Sequence, residues 1–274
     1  GGSAGIGSVW NTGKVSNSGA GTIEITGGDI TAIGASDGAG IGSGTWATGE
    51  TNITISGGTI ENAQGGSGGA GIGSGDGSTG QTTVTIKSGT IKNATGGNTG
   101  DGIGGGCDSK NITVKIEGGT IEKAKGGDGY GSHDAGDGIH SDGELTIPDK
   151  ATIVSAIGGN GDSRNSSSNA GHGIYSKGDL NISDNATIGT AKGGDGTADD
   201  GTGGTGIYSA GRLFISGGEI QNATGGNGGS GGSGGSGILI SGGLYSLIGD
   251  GGRNGLLIVI DDRGIAAHLT QQRL

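Results

Sequence analysis

Few side chains in this 274-residue sequence have chemistry to offer, and those that do recur at set places. A Gly-Ile pair repeats along the chain, and the residue after it is Gly7, Gly42, Gly73 and Gly104, then His140, Tyr175 and Tyr208. Trp10 and Trp46 follow the same pair in its first two occurrences. Five rings therefore gather around one recurring segment. Sugars present apolar C–H faces that stack on aromatic rings, so these five are candidate carbohydrate-binding residues. A plainer reading is also open, in which stacked rings only stabilise a sheet face.

Carboxylates crowd the connections that follow: Asp128, Asp134, Asp137 and Asp142 in one, then Asp162, Asp195, Asp199 and Asp200 in the next two. Calcium takes carboxylate and carbonyl oxygens, and glycine loops present carbonyls freely, which makes Asp128, Asp137, Asp142, Asp162 and Asp195 candidate calcium ligands. Solvated turn residues explain them equally simply. The surrounding Gly-Gly-Asx-Gly strings do not continue as tandem nonapeptides, the pattern of toxin-type calcium repeats.

Catalysis is less visible. His172 lies in a Gly-His-Gly string, but the same slot elsewhere holds Ala39, Ala70, Asp101, Asp137 and Thr205, as a turn position would. A pair of catalytic aspartates on the preceding repeats is missing in recognisable form, and Arg164 and Arg212 lack the carboxylate company a lyase base needs. No catalytic residue is assigned. The single cysteine, Cys107, excludes an intrachain disulfide framework and reads as a small buried filler.

The elements that must position these residues follow from periodicity. Composition alone, with 76 glycines and 28% apolar residues, would suggest disorder. The repeat overrules it. The Gly-Ile isoleucines are Ile6, Ile41, Ile72, Ile103, Ile139, Ile174 and Ile207, in steps of 35, 31, 31, 36, 35 and 33. Each unit continues with an alternating apolar pair (Ile23 and Ile25 in the first, Leu213 and Ile215 in the seventh), and then with Ile30, Ile60, Ile91, Ile121, Ile153, Ile188 or Ile220. Three places further on stand Ile33, Ala63, Ala94, Ala124, Ala156, Ala191 and Ala223.

Three short strands of period two per repeat, separated by glycine turns, predict an all-β fold: a single parallel β-helix of about seven to eight coils. The crossover preference of parallel strands makes it right-handed. Outward positions agree, with Glu61, Lys92 and Glu122 falling one above another, and Thr59, Thr90, Thr120, Thr152 and Thr187 forming a column. A turn slot filled by Ser67, Asn98, Asp128, Asn160, Asp195 and Asn227 suggests left-handed backbone there. Regularity fades near residue 228, where Ile238 to Ile240 restart a strand without the usual spacing. The expected domains are β-helix repeats over 1–245 and an irregular capping segment over 246–274, with a short helix over 265–274.

A net charge of −11 with scattered basic residues excludes a nucleic-acid footprint, and no apolar run reaches the roughly 20 residues of a membrane span. Cations and neutral polymers are the expected partners. The chain opens inside a repeat, and we read it as a monomeric part of a larger surface protein.

The strings G-A-G-I-G-S-G, I-T-I-S-G-G-T-I and G-D-G-I-H-S-D-G-E-L-T-I (136–147) resemble the glycine-rich β-helix repeats of bacterial, mainly clostridial, cell-surface proteins, among them a carbohydrate-binding domain shaped like pectate lyases. The resemblance covers about residues 1–245. It implies a right-handed β-helix, a secreted or wall-associated location, calcium at turns and binding of acidic plant polysaccharide. Asp137 and Asp142 match that family's G-D-G-I-x-S-D-G string, and other coils here lack those aspartates. The expectation is thus a non-catalytic polysaccharide-binding β-helix, with a structural stalk or adhesin spacer, and a pectin-acting lyase or hydrolase, as alternatives.

Overall fold

The computed structural model describes residues 2–8, 19, 21–164, 168–183, 185–197 and 199–242, and the backbone of 244–247, 258–261 and 264–267. Parallel strands stack into a β-solenoid of about seven turns, and the described residues contain no helix. Coils are numbered here by their Gly-Ile strands, Ile6–Gly7 opening the first and Ile139–Ser141 the fifth. On this first face isoleucine sits on isoleucine from Ile6 through Ile41, Ile72, Ile103, Ile139, Ile174 and Ile207 to Ile238.

The third face keeps the same order, with Ile30, Ile60, Ile91, Ile121, Ile153, Ile188 and Ile220 in register and the threonine column beside them. The second face is built in two parts. Gly21–Ile25 and Ile112–Ile116 bound the first part, and Leu145–Ile147 opens a separate four-stranded ladder that continues through Leu180–Ile182 and Leu213–Ile215. Where the parts meet, one backbone bond, from the Asp142 N–H to the Ile112 carbonyl at 2.8 Å, is supplemented by side chains. The Ile112 N–H donates to Asp142 Oδ2 at 3.0 Å and the Val114 N–H to Ser141 Oγ at 3.3 Å.

The isoleucine columns, closed by the alanine column Ala63, Ala94, Ala124, Ala156 and Ala191, form one continuous core. Each fully buried isoleucine contributes about 1.5–3 kcal/mol by leaving water. Outside, Lys92 reaches Glu61 at 2.7 Å, the charge pair expected from the stacking.

Four expectations need correction. In the first coil the inward residue is Ala32, stacked beside Ala63, while Ile33 is 59% exposed, because a bulge after Ile30 shifts the register and the narrow alanine column has no room for isoleucine. Ile238 lies directly on Ile207, so the strand at Ile238–Ile240 starts an eighth coil in normal register. The turn-slot residues are not in left-handed backbone. They form a ladder instead, in which the Asn160 N–H donates to Asp128 Oδ1, the Asp195 N–H to Asn160 Oδ1 and the Asn227 N–H to Asp195 Oδ1, at 2.9, 2.9 and 2.8 Å. Finally, Gly264–Ala267 is a strand, antiparallel to Ile258–Asp261 and set beside Ile238, where a helix was expected. A strand satisfies the open backbone groups of a sheet edge and a helix does not. Residues 268–274 lie outside the described residues.

Candidate functional site

Between the fourth and fifth coils the outline of the solenoid changes at three places together. The corner after the first strand is long in the fourth coil, running from Gly104 to Ile112, and short in the fifth, from Ser141 to Leu145. The corner before the first strand lengthens correspondingly, from Thr95–Ile103 to Lys125–Ile139. The first strand itself grows from two residues to three and straightens. Gly42, Gly73 and Gly104 bend it with φ of 142°, 141° and 153°, and a Cβ on Gly73 would lie 1.8 Å from the Gly104 carbonyl oxygen. From the fifth coil on, the same position runs straight and carries His140, Tyr175 and Tyr208.

The step leaves a cleft of about 470 Å³, walled by the Cys107–Ser109 corner on one side and by His133–Asp137, His140, Asn169, His172, Tyr175 and Thr202 on the other. Its lining contains four aspartates and three histidines and no lysine or arginine.

The rings form a closed stack. Tyr175 and Tyr208 lie 5.3 Å apart at 20°, His172 fits against both at 5.5 and 5.1 Å, and His140 meets Tyr175 at 4.6 Å, tilted by 41°. Their faces are spent largely on one another, so the cleft meets the rings mainly at their edges. Tyr208 stands behind the others, outside the lining, with its hydroxyl 3.0 Å from Ser241 Oγ.

Beneath the rings runs a polar column, buried at Asp101, Asp137 and Thr205 and half-buried at His172. The Asp137 N–H donates to Asp101 Oδ1 at 2.7 Å, the His172 N–H to Asp137 Oδ1 at 2.6 Å and the Thr205 N–H to His172 Nδ1 at 2.9 Å. Each side chain thus caps the next coil, and the last bond places the His172 proton on Nε2. The second oxygen of Asp101 accepts the Gly105 N–H at 2.7 Å. His140 bridges this column to the surface, with Nδ1 2.9 Å from Asp137 Oδ2 and 3.6 Å from Asp101 Oδ2, and Nε2 3.7 Å from Asp142 Oδ1.

The charges follow from this geometry. Burial pulls the His140 imidazole down, but the Asp101 charge and the hydrogen bonds to Asp137 and Asp142 outweigh it and hold it well above its ordinary value. Burial pushes Asp101 up to about 7, against the pull of His140 and with the repulsion of Asp137. Asp137 is also penalised by burial, yet its bonds to His140 and His172 bring it below the ordinary range. The His140 hydrogen bond lowers Asp142 as well. This arrangement favours an imidazolium at His140 beside the carboxylates of Asp137 and Asp142.

The structure brings His140, Tyr175 and Tyr208 together as expected from their column. Trp46 is three coils away, 52% exposed and lying over Gly77, and Trp10 lies outside the described residues. The five carboxylates do not converge. Asp137 and Asp142 flank His140, Asp128 and Asp195 belong to the corner ladder, and Asp162 is ion-paired with Arg164 at 3.0 Å. Arg212 pairs with Asp179 at 2.6 Å. Sequence reasoning read His172 and Asp101 as turn positions and Cys107 as a buried filler, and it did not single out Asp108 or His133. The slot shared by Asp101, Asp137 and His172 was the available signal, since hydrogen bonds join the three into one column across successive coils. No family model, curated protein or solved structure matches the chain.

Proposed function

We propose that this β-helix binds polysaccharide in the cleft at its fourth-to-fifth coil step, as a non-catalytic module of a secreted or cell-surface protein. The observation that carries the reading is the cleft itself: a groove of about 470 Å³ that joins ring edges to hydroxyl and carboxylate acceptors across four successive coils. Asp134, Asn169 and Thr202 succeed one another along its rim, linked by hydrogen bonds of 2.7 and 3.3 Å, and such a row suits the repeating hydroxyls of an extended chain.

The electrostatics favour a neutral glycan. Four lining aspartates with no lysine or arginine repel uronate carboxylates, and the His140 charge is already committed to Asp137 and Asp142. Acidic glycans, the class implied by the resemblance, would need a bridging cation. Calcium does not fit the five candidate carboxylates as a set, because they occupy separate corners and their oxygens accept backbone N–H groups or face basic partners. No step of the binding runs through calcium, and a chelator tests that directly.

Affinity electrophoresis in gels containing a neutral β-glucan or xylan, and polygalacturonate with and without calcium, tests the reading. Retardation by a neutral glycan is expected, weakened about tenfold in Tyr175→Ala and less in Tyr208→Ala, which only props its neighbour. Unchanged retardation in Tyr175→Ala discards the site. Loss of polygalacturonate retardation on chelation would establish calcium-assisted binding instead.

Hydrolysis is the second reading, favoured by the stacked Asp101 and Asp137 with their unequal protonation. Both are buried and their oxygens accept N–H groups or face His140, so they support the cleft wall more directly than they reach a substrate. Release of new reducing ends or unsaturated products from pectin or neutral glycans, abolished in Asp137→Asn, would establish an enzyme.

A further inference from the structure

We infer that Cys107, Asp108 and His133 form a binding site for a thiophilic divalent cation of the zinc class, with the Asp76 carboxyl beside it. Three donors of different chemistry, a thiol, a carboxylate and an imidazole, come from two corner loops that meet only because the coil outline changes there. One ligand atom from each lies within 4.8 Å of the others, and His133 Nδ1 is 3.7 Å from Asp108 Oδ2. Bonds of about 2.0 to 2.3 Å in a tetrahedral zinc site place donors somewhat under 4 Å apart, so a closure of about 1 Å by side-chain rotation completes the geometry.

The loops are fixed by backbone bonds. The Cys107 N–H donates to the Gly68 carbonyl and its own carbonyl accepts the Gly77 N–H, both at 2.7 Å. The His133 carbonyl accepts the Ser168 hydroxyl at 2.9 Å. The donors open into a cavity of about 260 Å³ whose lining adds Asp37 and Asp76 and contains no lysine or arginine. Asp76 lines the same cavity as the three donors.

Donor type decides the metal class. Sulfur and imidazole select zinc, cobalt or copper over calcium and magnesium, which prefer oxygen. The nearby group of Asp101, Asp137 and His140 is a poorer candidate, because both Asp101 oxygens accept backbone N–H groups and His140 is clamped between carboxylates. Cys107, Asp108 and His133 also line the cleft proposed for glycan, but the inference does not rest on glycan binding and its test uses no glycan.

Cobalt titration of the reduced, tag-free chain tests it. A thiolate-to-cobalt charge-transfer absorption is expected to saturate at about one equivalent, to be displaced by zinc and to resist excess calcium. Cys107→Ser, a near-isosteric change, abolishes the absorption, and His133→Ala weakens cobalt affinity about tenfold or more, with strand circular dichroism retained in both. Absence of the absorption in the native chain overturns the proposal. So does an affinity in His133→Ala within about twofold of native, which would mean that the thiol binds alone.

Discussion

His140 shows what a single substitution in a repeat can do. The same slot one coil earlier is Gly104, whose missing side chain leaves space in which Asp101 and the His140 Cβ approach within 3.0 Å of where its own Cβ would be. The imidazole fills that space and is trapped among Asp101, Asp137 and Asp142. The sign of the pH dependence follows. Between about pH 4 and 7 the folded chain keeps a proton on Asp101 that the unfolded chain has lost, and above about pH 6.5 it keeps another on His140. Both effects reduce stability as pH rises. Asp137 and Asp142, held below their ordinary values, reduce stability only towards the acid end, below about pH 4. Scanning calorimetry should therefore find the highest Tm near about pH 4 to 5, with a decline towards pH 9. A Tm that rises from pH 6 to 9 would contradict the assignment. At this scale the rings were legible because their column was. Asp101 and His172 were not, because a polar residue in a corner slot looks the same in sequence whether it faces solvent or caps the coil above.

At the scale of the element, the corners rather than the strands set the limits. Gly127 is packed so that a Cβ would lie 1.4 Å from the Gly97 carbonyl oxygen of the coil below, whereas a Cβ on Gly143 would meet nothing within 4 Å. Gly127→Ala should cost about 3 kcal/mol or more, and Gly143→Ala no more than about 1 kcal/mol, by urea unfolding. Equal losses would show that corner packing is not what restricts these positions to glycine. Strand positions were readable because inward isoleucines repeat with period two. The slip from Ile33 to Ala32 came from one bulge, which moves a side chain to the other face without altering the spelling of the repeat. The Asp128, Asn160, Asp195 and Asn227 ladder was read as turn chemistry because the residues that tolerate left-handed backbone are also those whose side-chain oxygens cap a neighbouring N–H.

From Ile72 to Ile139 the repeat lengthens from 31 to 36 residues and its distribution between corners changes, and together these create the cleft. A uniform solenoid would serve as a spacer, presenting the same face at every step. In the proposed reading, the break in the second-face ladder between Ile112–Ile116 and Leu145–Ile147 is the feature that distinguishes a binding module from a stalk. The shift was visible in the spacing from Ile103 to Val114 against that from Ile139 to Leu145, but its meaning depended on which corner sat over which, a matter of three dimensions. Saturation-transfer NMR, irradiating aromatic protons in the presence of a neutral β-glucan oligosaccharide, tests the binding claim most directly. Attenuated sugar C–H signals are expected with the native chain and with Trp46→Ala, and their loss is expected with Tyr175→Ala. Transfer that persists undiminished in Tyr175→Ala, or disappears in Trp46→Ala, would contradict the account.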